Sequence, residues 1–127
     1  IASKLPSDPV MIWGHQIRLE QVLLNLVSNA SFAIKSSGKT QKQLWVEASC
    51  ENQDWVTVSV TDTGAGIPHD ALKRIFEPFY TTKEVGVGTG LGLSVSYGIV
   101  HDMGGEMLAE NIANGARISL RLPIIKV

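Results

Sequence analysis

Gln21, Asn25 and Asn29 stand four residues apart, and at about 100° per residue a helix carries them within one third of its circumference, opposite Leu23, Leu26 and Ala30. Asn is a poor helix former, so two on one mid-helix stripe give up stability that Ala or Gln would keep. A side-chain amide oxygen is a neutral hard ligand suited to Mg²⁺, which keeps several waters and shares its shell with phosphate oxygens. Taken alone, the pair reads better as a solvated polar face. Further along, Asp62-Thr-Gly-Ala-Gly-Ile-Pro68 sets an acid at the end of an apolar strand, just before a turn whose glycines let another group approach the backbone. A carboxylate there accepts hydrogen bonds only, and an exocyclic amino group such as adenine's would suit it.

Gly86, Gly88, Gly90 and Gly92 recur at every second position and lead into an apolar-periodic stretch. Backbone N–H groups bared by glycine, together with the partial positive charge of a helix N-terminus, suit phosphate. No glycine there is followed by two others at the offsets of a dinucleotide fingerprint, so a Rossmann reading fails. Ala33-Ile-Lys-Ser-Ser-Gly-Lys-Thr40 approximates a P-loop but closes a helix instead of opening one. Its lysines, with Lys42, read as a solvated loop. His15, His69 and His101 have no metal-ligand spacing. Trp13, Trp45 and Trp55 lie on strand-like runs and read as core or rim packing.

These groups need elements to position them. Val10 to Trp13 reads as an edge strand, and apolar residues from Leu19 to Ile34 predict an amphipathic helix over about residues 17–35. Leu44 to Cys50 and Trp55 to Thr61 predict an antiparallel pair turning at Glu51 to Asp54. A short helix is expected at Asp70 to Ile75. The irregular stretch Glu77 to Thr89, too long for a mere connector, is expected to be a lid. Leu91 to Met103 predicts a helix stopped by Gly104-Gly105; Glu106 to Glu110 and Arg117 to Leu122 predict two strands joined by a turn over Asn111 to Gly115. The fold class expected is an α/β (α+β) two-layer sandwich, a mixed, mostly antiparallel sheet covered on one face by about three helices.

The 127 residues, 44% hydrophobic and 18% charged, suit a single domain spanning residues 1–127. A net charge of -1 gives no electrostatic case for a nucleic-acid partner or an acidic membrane, so any phosphate site must be local. No run of about 18 apolar residues or signal-peptide pattern occurs. Cys50, the single cysteine, reads as a buried inert thiol.

Taken in order, the elements resemble the catalytic ATP-binding domain of two-component sensor histidine kinases, within the superfamily that includes type II topoisomerase, heat-shock chaperone and mismatch-repair ATPases. Arg18 to Ala30 resembles that family's N box, Asp62 to Gly66 its first glycine box, Phe76-Glu-Pro-Phe-Tyr-Thr-Thr-Lys83 its F box, and Gly88-Thr-Gly-Leu-Gly-Leu93 its second glycine box. The F-box wording is similar to the nitrogen-regulation and dicarboxylate-sensing branch. The fold implied is the Bergerat type.

The resemblance implies that Asn29 ligates Mg²⁺, Asn25 helps place the ATP phosphates and Asp62 reads the adenine amino group, while Gly64, Gly66 and Ile67 form the turn beside the base. Phe76 and Phe79 would anchor the lid; Thr82, Lys83, Gly88, Thr89, Gly90, Leu91, Gly92 and Leu93 complete the nucleotide-binding set, with Lys83 the candidate phosphate cation. Many relatives carry a Lys where Phe32 stands here, and Lys83 or Lys35 would substitute. The activity implied is transfer of the γ-phosphoryl of ATP to a histidine of a separate helical dimerisation domain, for relay to the receiver domain of a response regulator. The fragment would be monomeric, would not phosphorylate itself, and would work in the cytoplasm; the longer protein would be a homodimer that could be anchored in the inner membrane. A regulatory ATP-binding module of the same fold, of the anti-sigma type, is the alternative.

Overall fold

The computed structural model describes residues 2–5, 10–40, 42–51, 53–77 and 92–125. Its elements run β1 (Ala2–Lys4), α1 (Gln16–Ser37), β2 (Leu44–Glu51), β3 (Trp55–Asp62), α2 (Gly92–Asp102), β4 (Glu106–Ile112) and β5 (Gly115–Pro123). The strands form one five-stranded sheet in the order β1-β2-β3-β5-β4. β1 runs parallel to β2 and every other neighbouring pair is antiparallel, so the sheet is mixed and mostly antiparallel as expected.

Helix α1 buries Val22, Leu26, Ala30 and Ile34, a stripe at four-residue spacing. Gly38 ends it in the left-handed conformation at φ 69°, where a residue without Cβ carries no steric penalty. On the sheet, alternate residues face this helical layer. Val56, Val58 and Val60 of β3 lie opposite Leu122, Leu120 and Ile118 of β5, and Met107 and Ala109 of β4 lie opposite Leu120 and Ile118. Val100 of α2 completes the buried cluster. Leu26 is 1% exposed, and its truncation to Ala would cost about 2–5 kcal/mol.

The other sheet face carries polar side chains. Ser59 and Ser119 hydrogen-bond across β3 and β5 at 3.1 Å, and Arg121 bridges Glu51 and Glu106 while its guanidinium lies 4.5 Å from the centre of the Trp55 ring. One covered and one uncovered face make this a two-layer arrangement.

Several expectations change. Val10 to Trp13 is not a strand: Ile12 makes one isolated bridge to Ile124, and the edge strand is β1 instead. Trp13 is 75% exposed and packs in no core; Trp45 and Trp55 are half-buried on the sheet. Cys50 is exposed rather than buried; it pairs with Val56 near the hairpin end of β2. Asp70 to Ile75 forms consecutive turns rather than a helix, with backbone bonds mixed between three- and four-residue spacing, though Ala71 and Ile75 are still buried. The described residues therefore contain two helices, not three. The lid expected over Glu77 to Thr89 lies, but for Glu77, outside the described residues.

Candidate functional site

Asp62 is the last residue of β3 and shares the side-chain parity of Val56, Val58 and Val60, so the strand delivers its carboxylate to the helix-covered face. It is 5% exposed. Its Oδ1 accepts the backbone N–H of Gly64 at 2.8 Å. Burial pushes its pKa above the ordinary carboxylate value; the N–H groups of Gly64 and Ala116 and the charge of Lys39 oppose that rise.

The glycine turn that follows is packed against α1. A Cβ on Gly64 would lie 2.8 Å from the Ala33 carbonyl carbon and oxygen, so the close approach requires glycine. Gly66 sits at φ 85°, the left-handed region. Ile67, the next residue, is half-buried against the core.

Asn25 and Asn29 are half-buried, one residue from the core stripe of Leu26 and Ala30. They flank the core rather than oppose it, because neighbouring helical positions differ by about 100°. Asn25 Nδ2 donates to Ser96 Oγ in α2 at 3.1 Å, and Ser96 is fully buried. Ala33, one turn beyond Asn29, meets Gly64. The stripe Asn25, Asn29, Ala33 thus runs from α2 to the glycine turn, with Asn29 between them. Gln21, the remaining member of the amide stripe, is exposed.

Gly92 opens α2, and Leu93 is half-buried against the core. Phe76 stacks on Tyr97 of α2 with centroids 5.3 Å apart, and Tyr97 in turn stacks on His101. Phe79, Thr82, Lys83, Gly88, Thr89, Gly90 and Leu91 lie outside the described residues. Phe32 is half-buried and Lys35 exposed.

Two side chains enter this site that sequence spacing did not single out. Lys39, read as part of a solvated loop, donates its Nζ to Gly64 O at 2.8 Å and to Asn114 O at 3.4 Å. Asn111, read as a turn residue, belongs to β4, where it pairs with Ala116, itself the partner of Asp62. Its place in the strand alternation of Met107 and Ala109 was the signal available. Asp62, Ala116 and Asn111 therefore form one row across three strands on the helix-covered face. Neither Lys39 nor Asn111 belongs to a box with chemistry of its own.

Among the described residues no cluster of three metal-ligating His, Cys, Asp or Glu side chains occurs, and no helix is long and apolar enough to cross a membrane. His15, His69 and His101 are all exposed.

Residues 14–126 match the family described as histidine kinase-, DNA gyrase B-, and HSP90-like ATPase. The chain is 43% identical over 121 residues to the two-component sensor PprA of Pseudomonas aeruginosa, a match covering 94% of this chain and 13% of PprA. It is 40% identical over 118 residues to the C4-dicarboxylate transport sensor protein DctB of Rhizobium meliloti, covering 93% of this chain and 18% of DctB. Among solved structures, the nucleotide-free catalytic domain of histidine kinase ThkA is similar with a TM-score of 0.81 at 32% identity, over 96% of this chain and 78% of that one. Full-length ShkA in complex with AMPPNP is similar with a TM-score of 0.82 at 30% identity, over 99% of this chain and 26% of that one. The chain spans less than a fifth of the length of PprA or DctB. With its element order, its sheet and these matches in agreement, the chain belongs to the histidine kinase-, DNA gyrase B-, and HSP90-like ATPase family and has the fold of a histidine kinase catalytic domain.

Proposed function

We propose that this chain binds Mg-ATP and presents its γ-phosphoryl to a histidine on a separate helical domain, as the catalytic domain of a two-component sensor kinase. The observation that carries the reading is the buried Asp62 carboxylate, set on the helix-covered face beside a turn whose Gly64 is pressed against the α1 stripe that bears Asn25 and Asn29. An acceptor-only group in a desolvated, glycine-lined recess suits the exocyclic amine of adenine, and burial makes that hydrogen bond selective.

The amide of Asn29 fits Mg²⁺ as a neutral oxygen ligand, and among the described residues it makes no competing side-chain hydrogen bond. When bound, the ion would neutralise charge on the phosphate oxygens. Asn25, already tied to Ser96, would hold the phosphate end of the site at the α1–α2 junction, where Gly92 opens α2. Gly66 and Ile67 would border the base. Phe76, stacked on Tyr97, would couple the lid to α2, with Phe79, Thr82, Lys83, Gly88, Thr89, Gly90, Leu91 and Leu93 completing the nucleotide contacts. Phosphoryl transfer asks for positioning and charge neutralisation rather than covalent participation by the protein, and these side chains supply positioning.

The acceptor is a histidine outside this chain, and a response-regulator receiver domain takes the phosphoryl group onward. The experiment is incubation with γ-labelled ATP and Mg²⁺, with and without a helical phosphoacceptor domain. Label on that domain's histidine only when both are present is the expected result. Stoichiometric label on the isolated chain, or no ATP binding by it, would overturn the proposal.

A further inference from the structure

The turn that carries Gly64 to Ile67 is held at both ends by side chains remote in sequence. At one end Lys39, just past the end of α1, caps Gly64 O at 2.8 Å and reaches Asn114 O at 3.4 Å, so one ammonium joins the helix end, the glycine turn and the β4–β5 hairpin. At the other end Asn111 makes a paired contact with both backbone polar groups of one residue: Ile67 N donates to Asn111 Oδ1 at 2.7 Å, and Asn111 Nδ2 donates to Ile67 O at 2.8 Å. The approach is tight, because a Cβ on Gly66 would lie 3.1 Å from Asn111 Oδ1.

The clamp also shares a frame with Asp62. Asn111 and Asp62 flank Ala116 in one row of the sheet, and Gly115 packs so closely on the backbone of Asp62 that no Cβ fits between them. A turn with two glycines and one left-handed residue has many conformations open to it in isolation. Three added hydrogen bonds choose one of them before any ligand arrives.

Building on the nucleotide reading above, we propose that Lys39 and Asn111 are positioning residues of the base-binding half of the site, holding the Gly64 to Ile67 turn in its binding conformation. They act through the turn's backbone. Preorganisation removes an ordering cost from binding, so their loss lowers affinity without removing a ligand contact.

The test uses calorimetric ADP titration of the parent chain, Asn111→Ala, Lys39→Met and Lys39→Arg, with backbone amide exchange measured on each free protein. Methionine keeps the length of the lysine stem and loses its donors; arginine restores a donor. The expected result is about tenfold weaker ADP binding for Asn111→Ala and Lys39→Met, a loss of about one conformational restraint's worth of affinity. Lys39→Arg recovers most of it. Amides from Gly64 to Ile67 exchange faster in the two weakened variants, while those of β3 and β5 stay protected as in the parent. A merely structural role would raise exchange in the strands as well. Parent-like ADP affinity in both variants, unchanged exchange at the turn, or equal loss of protection throughout the sheet would overturn the proposal. If the parent itself does not bind ADP, the nucleotide reading falls and this proposal with it; if Asp62→Asn weakens binding and the clamp variants do not, the nucleotide reading stands alone.

Discussion

Asn25 of α1 and Ser96 of α2 are joined by a 3.1 Å hydrogen bond across 71 positions of sequence, with Ser96 fully buried. The bond ties the helix that carries the amide stripe to the helix that begins at Gly92. Replacing Ser96 by Ala removes the acceptor and leaves its methylene in place. Unfolding in urea is expected to show a loss of about 1 kcal/mol, the net worth of such a bond. Val at this position would add a methyl in a space with no exposure and is expected to cost more, about 1–3 kcal/mol.

Gly64→Ala tests the contact between the glycine turn and α1. Its Cβ would lie within 2.9 Å of Ala33 backbone and side-chain atoms, so helix or turn must move. The expected outcome is a lower urea midpoint, with about 1–3 kcal/mol lost, together with weaker ADP binding. At Gly98, where a Cβ meets open space within α2, alanine is expected to stabilise by up to about 1 kcal/mol.

Asp62 predicts opposite pH dependences for stability and for binding. Burial, its largest influence, raises the folded pKa above the unfolded value; the N–H groups of Gly64 and Ala116 and the Lys39 charge only reduce the rise. The folded chain then holds this proton more tightly than the unfolded chain, so Asp62's contribution to stability falls as pH rises from the ordinary carboxylate value through the raised one, and is level above it. Asp62→Asn lacks that slope, and its stability relative to the parent should climb across the same window in urea titrations. ADP affinity of the parent should instead increase with pH through the folded pKa, as the acceptor ionises. Calorimetry of the variant should show weaker binding and no such rise.

Asn29→Ala separates metal binding from the base site. In the parent, Mg²⁺ is expected to strengthen ATP binding; in the variant that enhancement should shrink about tenfold or more, while metal-free ADP binding and the urea midpoint change little, since Asn29 is half-buried beside the core rather than in it. Calorimetry with and without Mg²⁺ reads both quantities. An enhancement equal to the parent's would remove Asn29 as the ligand.

The periodic elements were legible in the chain itself. The apolar spacing from Leu19 to Ile34 specified α1 to within a few residues, and the alternating runs placed β2, β3, β4 and β5 in their order. This follows because a helix or a half-covered strand must repeat its apolar residues with the backbone's own period. Asp62, Gly64 and Gly66 were also visible, as a carboxylate and two glycines at the end of such a run. Where periodicity was weak the expectation failed. Val10 to Trp13 makes only an isolated bridge, and Asp70 to Ile75 is far shorter than the roughly 12–15 residues over which helical hydrogen bonds sustain themselves.

What the tertiary structure alone decided is which distant residues meet. No local spacing indicates that Asn25 turns toward Ser96, that Ala33 leaves no room for a side chain at residue 64, or that Lys39 and Asn111 seize the same glycine turn from opposite ends. Those encounters depend on strand order and register, since it is the antiparallel pairing of β3, β5 and β4 that brings Asp62, Ala116 and Asn111 into one row. The amino-acid sequence determined the elements and the chemistry each one carries, because period and residue type are local properties. The fold decided the company each side chain keeps, because contact is a property of the packed sheet and helices.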